Sequence, residues 1–117
     1  MSTNFFSYYM KKVERSYGLN CPVAKTLDLI GERWTIMILR DFFTVSDVRR
    51  FIDFEKALDG ITPALLSDRL KKLEKYGFIT KSLYSESPPR MEYKLTAKGK
   101  SLGPILKALR AWGNANT

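Results

Sequence analysis

The residues best suited to chemistry in this 117-residue chain lie between positions 62 and 100. This stretch holds 9 basic and 4 acidic residues, so it carries five of the eight net positive charges of the chain. Long cationic side chains suit the phosphates of a nucleic acid, and short polar side chains suit the base edges of a duplex. The alternative interpretation is a solvated basic surface that keeps the protein soluble.

A helix is predicted from Thr62 to Tyr76, because Thr62 suits the N-cap and Pro63 suits the first helical position. Gly77 is predicted to end it. The apolar positions Leu66, Leu70 and Leu73 recur on one face, whereas Ala64, Asp68, Lys71 and Lys75 fall on the opposite face. One face is therefore expected to pack and the other to point outward.

A two-stranded hairpin is predicted after this helix. Residues 78–84 have strand-type composition up to the turn signals of residues 85–89, and a return strand begins at Arg90. In the return strand Met91, Tyr93 and Leu95 alternate with polar residues, which is typical of a half-buried strand.

The outward residues of this helix and hairpin are the candidates for contact with double-stranded DNA. Asp68 is able to accept a hydrogen bond from cytosine N4, and Lys71 is able to reach guanine or phosphate. Pro88 and Pro89 stiffen the hairpin tip and present Arg90, whose guanidinium suits a narrow minor groove. The predicted DNA-binding residues are Thr62, Pro63, Ala64, Ser67, Asp68, Lys71, Lys72, Lys81 and Arg90.

Each of these assignments has a plainer alternative. Ordinary solvent exposure would account for the helix residues, and an ion pair with Glu86 or Glu92 would account for Arg90. Arg69 lies at the edge of the packed face, where it suits a carboxylate as well as a phosphate.

Four further helical segments are predicted before Thr62. Residues 4–17 form an amphipathic helix, a second helix starts near Pro22, and a third runs from Glu32 to Phe43 as the buried spine of the fold. Residues 44–50 are a connection, and residues 51–58 form a short helix that Asp59-Gly60 joins to the helix at Thr62. A short helix, a tight turn and a helix with a basic outer face make a helix-turn-helix.

A closing helix is predicted from Thr96 to about Gly113, and Pro104 is expected to kink it or delay its regular part. Together with the first helix it offers more apolar surface than a small domain covers by itself, which favours a homodimer. Folding of the first helix onto the chain's own core is the alternative. The predicted interface residues are Phe6, Met10, Val13, Tyr17, Leu102, Ile105, Leu106, Leu109 and Trp112.

Several classes of protein are not supported by the composition. The chain has no histidine, a single cysteine and no Gly-rich phosphate loop, so we expect neither an enzyme nor a bound metal or cofactor. It has no apolar run of about 18 residues and no signal-peptide pattern. We therefore expect a cytoplasmic protein without a membrane partner.

From Cys21 to Gly113 the chain resembles the HxlR-type winged-helix transcription regulators, which are relatives of the MarR group. The resemblance depends on the order and spacing of several linked motifs. These are CPVAKTLDLIGERW (21–34), ILRD (38–41), RRF (49–51), GITPALLSDRLKKLEKYG (60–77), PPRMEYKLTAKGKSL (88–102) and LRAWG (109–113). The segment TVSDVRRF is longer than the usual connection of the family, and the resemblance implies a first strand over residues 49–51 at its end.

The resemblance implies a sequence-specific DNA-binding regulator that works as a homodimer, with a recognition helix in the major groove and a wing on the flanking backbone or minor groove. The expected fold is α+β and mostly helical, a single winged helix-turn-helix domain over residues 1–117. Within it, residues 51–76 form the helix-turn-helix, residues 78–96 form the wing, and residues 1–20 and 97–117 form dimerisation helices. A winged-helix protein-interaction module without specific DNA binding is the alternative function.

Cys21 precedes Pro22 at a predicted helix start, where the helix dipole favours a thiolate. In some relatives the cysteine of the CPV motif senses oxidants or electrophiles, so the resemblance implies a redox or small-molecule effector of unknown identity. An inert, packed cysteine is the alternative.

Overall fold

The computed structural model describes residues 16–117. In this part of the chain the elements are α1 (Pro22–Ile30), α2 (Thr35–Thr44), β1 (Val48–Arg50), α3 (Phe51–Ala57), α4 (Pro63–Lys75), β2 (Ile79–Glu86), β3 (Pro89–Leu95), α5 (Ala97–Lys100) and α6 (Gly103–Asn116). The predicted fold class, a mostly helical α+β winged helix-turn-helix, is confirmed. The helix predicted over residues 4–17, with Phe6, Met10 and Val13, lies outside the described residues except at its end. Tyr17 is described, and it is exposed and not helical.

The sheet contains three antiparallel strands in the order β1-β3-β2. The β2–β3 hairpin is the wing, and its strands reach closer to the tip than predicted, with Glu86 paired to Pro89. The prediction from residue types that all of residues 44–50 form a connection is wrong, because Val48 pairs with Lys94 and Arg50 with Glu92. The first strand that the resemblance implies at residues 49–51 is present, as β1 at residues 48–50. The free edge of β3 supplies the backbone partners that turn this polar segment into a strand.

The core lies between the helices and the inner face of the sheet. Phe54 of α3 is fully buried at its centre, with its ring 5.4 Å from that of Phe42 and 6.3 Å from that of Tyr93. The buried apolar cluster comprises Ile30, Ile38, Leu39, Phe42, Phe54, Leu58, Leu66, Leu70, Leu73, Phe78, Ile79, Leu95 and Leu102. This cluster fixes α3 and α4 relative to the wing.

Helix α2 starts later and is less completely buried than predicted. It begins at Thr35 rather than Glu32, because Trp34 has φ of +80°, a left-handed conformation that ends helical geometry on its N-terminal side. Its inner face joins the core, but Met37 and Phe43 are 38% and 40% exposed. The helix is therefore the predicted buried spine of the fold along its inner face only.

The C-terminal segment forms two helices instead of one. Thr96 caps α5 as predicted, with its Oγ1 accepting a hydrogen bond from Gly99 N at 3.1 Å. Pro104 lies in the first turn of α6, where its missing N–H removes no helical hydrogen bond. The predicted end at Gly113 is wrong, because α6 continues to Asn116, whose Nδ2 donates to Trp112 O at 2.9 Å.

The predicted interface residues of the C-terminal segment fall into a packed group and an exposed group. Leu102 is buried in the core of its own chain and Leu106 packs against that core, so Leu102 is not available to a partner. Ile105, Leu109 and Trp112 are exposed along α6. The apolar stripe thus serves the fold at its start and remains uncovered farther along.

No helix within residues 16–117 is both long enough and apolar enough to cross a membrane. In the same part of the chain, no group of three or more Cys, Asp or Glu side chains is placed to hold a metal ion.

Candidate nucleic-acid interface

Helices α3 and α4 form the helix-turn-helix, and the turn between them sets the start of α4. Gly60 adopts φ of +95°, a conformation that glycine favours, and Thr62 Oγ1 accepts a hydrogen bond from Leu65 N at 3.1 Å. Gly77, at φ of +82°, follows the last turn of α4. Because the leucine stripe of α4 is buried in the core, the opposite face of the helix points outward.

The N-terminal and outward positions of α4 form a continuous polar and basic surface. Thr62, Pro63, Ala64 and Lys71 are exposed, and Ser67 is half-buried between them. Within residues 16–117, Lys71 makes no ion pair. Its ammonium group is thus available to an external anion, and the small side chains of Ala64 and Ser67 allow a close approach to the helix.

Asp68 and Lys72, two other predicted DNA-binding residues, take part in an ionic cluster with the chain segment before α2. Asp68 Oδ2 lies 2.5 Å from Arg69 Nη1 and 3.5 Å from Lys72 Nζ, and Lys72 Nζ lies 3.0 Å from Glu32 Oε1. Arg69 Nε also donates to Arg33 O at 2.9 Å. Arg69 therefore pairs with carboxylates, which is one of the two roles predicted for it.

The ionic cluster has a consequence for DNA contact. The carboxylate of Asp68 already accepts hydrogen bonds from its own chain, and Lys72 would have to leave Glu32 to bind a phosphate. Lys71 and Ser67 are the better placed residues of α4 for direct contact. Glu32 was missed by the sequence analysis because its partner Lys72 lies 40 positions away.

Arg90 is exposed near the tip of the wing, opposite Ser85 in the hairpin register. It forms no ion pair with any residue of the described part of the chain. Glu92, one of its two predicted partners, instead lies 4.0 Å from Arg50. Lys81, on the other strand of the wing, lies 3.8 Å from Glu74 of α4. Arg90 is therefore available to an external partner at the tip of the wing.

A buried ion pair attaches the sheet to α2. Arg49 of β1 donates from Nε at 2.9 Å and from Nη2 at 2.5 Å to Asp41 Oδ2, and only 2% of the surface of Asp41 is exposed. The guanidinium also lies 5.9 Å from the centre of the Phe54 ring. Sequence reasoning missed this pair, because no local pattern places Asp41 of α2 beside Arg49 of β1.

Two other side chains in or beside the wing, Tyr93 and Arg50, have surroundings that affect their chemistry. Burial, and secondarily the negative charge of Glu74, raises the pKa of Tyr93 above its ordinary value of 10.0. Its phenol therefore stays neutral at physiological pH. Arg50 stacks over the Tyr84 ring at 3.9 Å on the exposed side of the wing.

Cys21 is exposed and occupies the N-cap position of α1. Its side chain makes no capping hydrogen bond, and its carbonyl accepts from Lys25 N at 2.9 Å. The thiol is free, so it is accessible to a reagent from solution.

Comparison with known proteins gives consistent matches over most of the chain. The family model described as HxlR-like helix-turn-helix matches residues 29–117. The uncharacterised HTH-type transcriptional regulator sll1512 of Synechocystis sp. (strain ATCC 27184 / PCC 6803 / Kazusa) is 38% identical over 97 residues, which cover 83% of this chain and 70% of that protein.

Two solved structures share the fold. One is a protein from Porphyromonas gingivalis W83 assigned to the MarR family of transcriptional regulators, with a TM-score of 0.76 and 34% identity over 84% of this chain and 94% of its own. The other is the redox regulator HypR in its oxidised form, with a TM-score of 0.73 and 34% identity over 83% of this chain and 98% of its own.

Proposed function

We propose that this chain, which belongs to the HxlR-like helix-turn-helix family of transcriptional regulators, binds a specific DNA site as a homodimer in the cytoplasm. The observation that carries the proposal is the outward face of α4, where Ala64, Ser67 and the unpaired Lys71 adjoin one another on a helix anchored by three buried leucines. A rigid helix with a small, polar and cationic surface suits entry into the major groove.

The two DNA-contacting elements have different roles in this proposal. Ser67 contacts base edges, while Thr62 and Lys71 flank it toward base or phosphate. Arg90 at the wing tip contacts the backbone or the minor groove. Asp68, Lys72 and Lys81 act chiefly by positioning α4 and the wing through their ion pairs, and the exposed Pro63 and Ala64 leave room for the DNA.

The exposed face of α6 supports the homodimer. Ile105, Leu109 and Trp112 are exposed in succession along this helix, and Val23 and Leu27 of α1 are exposed as well. The Cα radius of gyration is 15.5 Å, whereas the radius of gyration of a compact domain of this length is about 13 Å. A partner subunit would cover this apolar surface, and two-fold symmetry would place two copies of α4 about 34–36 Å apart.

A matched pair of variants tests how the roles are divided. Ser67→Ala preserves packing and removes one hydroxyl. We therefore expect a different base preference at one position of each half-site, with the binding free-energy difference between bases there changed by about 1–3 kcal/mol. Arg90→Ala is expected to weaken binding to most sequences alike and to reduce the slope of log affinity against log salt by about 1. The measurement is a fluorescence-anisotropy titration on a preferred duplex and a scrambled one across salt concentrations.

The salt series also separates DNA binding from the alternative function. A wild-type affinity that does not change with salt, or equal losses on both duplexes for both variants, would contradict the assigned reading face. Lys56→Ala is the matched control, since Lys56 is exposed on α3 outside the proposed contact residues.

Cys21 is proposed to make the regulator responsive to thiol oxidation, and the similarity to the redox regulator HypR supports this. The thiol is exposed at the start of α1, whose apolar residues Val23 and Leu27 are also exposed and thus available to a partner subunit. An adduct or an intersubunit disulfide there would change the angle between the two copies of α4.

We expect diamide treatment to change the DNA affinity of the wild-type protein by about tenfold or more and to leave Cys21→Ser unchanged. The measurement compares the affinity of reduced, oxidised and re-reduced protein, with non-reducing electrophoresis to detect a disulfide dimer. Oxidised wild-type protein with an unaltered affinity would leave Cys21 without a regulatory role.

A further inference from the structure

The carboxylate of Glu32, in the segment that joins α1 to α2, lies against one side of the proposed DNA-reading helix α4. Its two oxygens lie 3.0 Å and 3.3 Å from Lys72 Nζ, and Oε2 lies 3.7 Å from Arg69 Nη1. Asp68, one turn before Lys72, lies 3.5 Å from the same ammonium group. Lys72 is thus held by two carboxylates of its own chain, and one of them comes from outside the helix-turn-helix.

These ion pairs leave α4 with less available positive charge than its sequence indicates. The two carboxylates and two cations of the ionic cluster cancel in charge. On the side of α4 toward the wing, Glu74 lies 3.8 Å from Lys81. By helical spacing, Lys71 lies between Glu74 and Lys72 around the helix axis, and it makes no ion pair within residues 16–117. The unpaired charge is therefore concentrated on the outward face of the helix.

The pairing of Lys72 affects one kind of DNA contact in particular. Contacts to phosphates bind every sequence alike, whereas contacts to base edges distinguish sequences. Each phosphate that a cation neutralises strengthens binding to any duplex and makes that binding more sensitive to salt. A lysine held by Glu32 contributes less of this sequence-independent binding, because its ion pair must break before the ammonium group reaches a phosphate.

We propose that Glu32 is a specificity-determining residue, which holds Lys72 away from phosphates and Arg69 against the segment before α2. This inference rests on the proposed function, because it concerns the same DNA-reading surface. Loss of the carboxylate would have two effects in the same direction. It would release a cation toward any duplex, and it would loosen the placement of α4, and so of Ser67, against the base edges.

Glu32→Gln tests the inference, because it removes the charge and keeps the size of the side chain. The backbone carbonyl of Glu32, which accepts from Thr35 N at 3.2 Å, is unaffected. The Glu32 side chain is 39% exposed, so its ion pairs add little to folding stability and the variant should fold. Circular dichroism checks the fold, and fluorescence anisotropy measures affinity for the preferred duplex and a scrambled one over a salt series.

We expect the affinity of Glu32→Gln for the scrambled duplex to rise by about threefold or more, because an additional lysine becomes available to phosphates. The slope of log affinity against log salt should become steeper by about 0.9, the value for one added phosphate contact. Affinity for the preferred duplex should change by less than about twofold, since the released cation and the loosened helix act in opposite directions there. The preference for the specific site should therefore fall.

Two variants separate the release of Lys72 from a change in overall charge. Asp47→Asn alters the net charge by the same amount at an exposed residue just before β1, whose Val48 pairs with Lys94 at the end of the sheet opposite the wing tip. It should leave the salt slope unchanged and both affinities within about twofold of wild type. Glu32→Gln/Lys72→Met has the net charge of the wild type and lacks the released cation, so its salt slope should return to the wild-type value.

The outcomes separate this inference from the proposed function. An unchanged affinity of Glu32→Gln for the scrambled duplex, or a steeper slope that persists in the double variant, overturns the inference. An equal rise on both duplexes also overturns it, because Glu32 would then set affinity and not specificity. Wild-type protein that binds both duplexes equally contradicts the proposed function, and the scrambled-duplex series would still decide whether Glu32 holds Lys72 away from phosphates.

Discussion

Asp41→Ala is expected to lower the free energy of unfolding by about 3–5 kcal/mol, because it leaves the Arg49 guanidinium buried without its counter-charge. The side chains of Asp41 and Arg49 are only 3% and 12% exposed, so water offers the remaining cation little compensation. The same change detaches β1 from α2 and should loosen the inner edge of the wing. Urea unfolding followed by circular dichroism measures the loss.

Two comparisons show whether the buried pair is the cause. The double variant Asp41→Ala/Arg49→Met removes both charges and should be more stable than Asp41→Ala alone. Glu92→Ala breaks the more exposed 4.0 Å pair with Arg50 and should cost less than about 1 kcal/mol. A loss below about 1 kcal/mol for Asp41→Ala, or no recovery in the double variant, would contradict this account.

The second large effect is expected from Trp112→Glu, which should weaken the homodimer by about 100-fold. Trp112 is 65% exposed in the single chain, so a charge there is compatible with folding of the subunit. In an interface the same position would bury a carboxylate among apolar groups, at a cost typical of a hot-spot residue, about 2 kcal/mol or more. Sedimentation equilibrium measures the dimer affinity, and anisotropy on the preferred duplex measures the accompanying loss of DNA binding.

Ala111→Glu provides the matched control, since Ala111 is an exposed neighbour on a different face of α6. It should leave both the dimer and the DNA affinity within about twofold of wild type. Wild-type protein that is monomeric at micromolar concentration, or a Trp112→Glu protein that remains a full dimer, would place the interface elsewhere.

The features that could be predicted from sequence are those set by neighbours in the chain. The cap at Thr62, the packed leucines and the outward Lys71 of α4 all follow from spacing within 13 residues. The stop at Gly77 and the strand alternation of the wing depend equally on local conformation and burial.

The remaining features depend on contacts between distant segments. Nothing near Lys72 in the sequence indicates that Glu32 lies beside it, so this predicted DNA contact is engaged in an ion pair with a residue 40 positions away. Strand β1 exists because β3 has a free edge, and the break between α5 and α6 follows from the docking of Leu102 in the core. The helical spacing of apolar residues reveals a stripe in the C-terminal segment. It does not show which residues of that stripe are buried against the chain's own core.

The most direct test of the central claim is to sequence the genomic DNA fragments that the purified, reduced protein retains at physiological salt. The account predicts that the enriched fragments share a pseudo-palindrome whose half-sites are centred about one helical turn apart. Ser67→Ala should enrich a motif altered within the half-sites, whereas Arg90→Ala should enrich the same motif more weakly. Retained fragments with no shared motif beyond base composition would contradict sequence-specific recognition by α4.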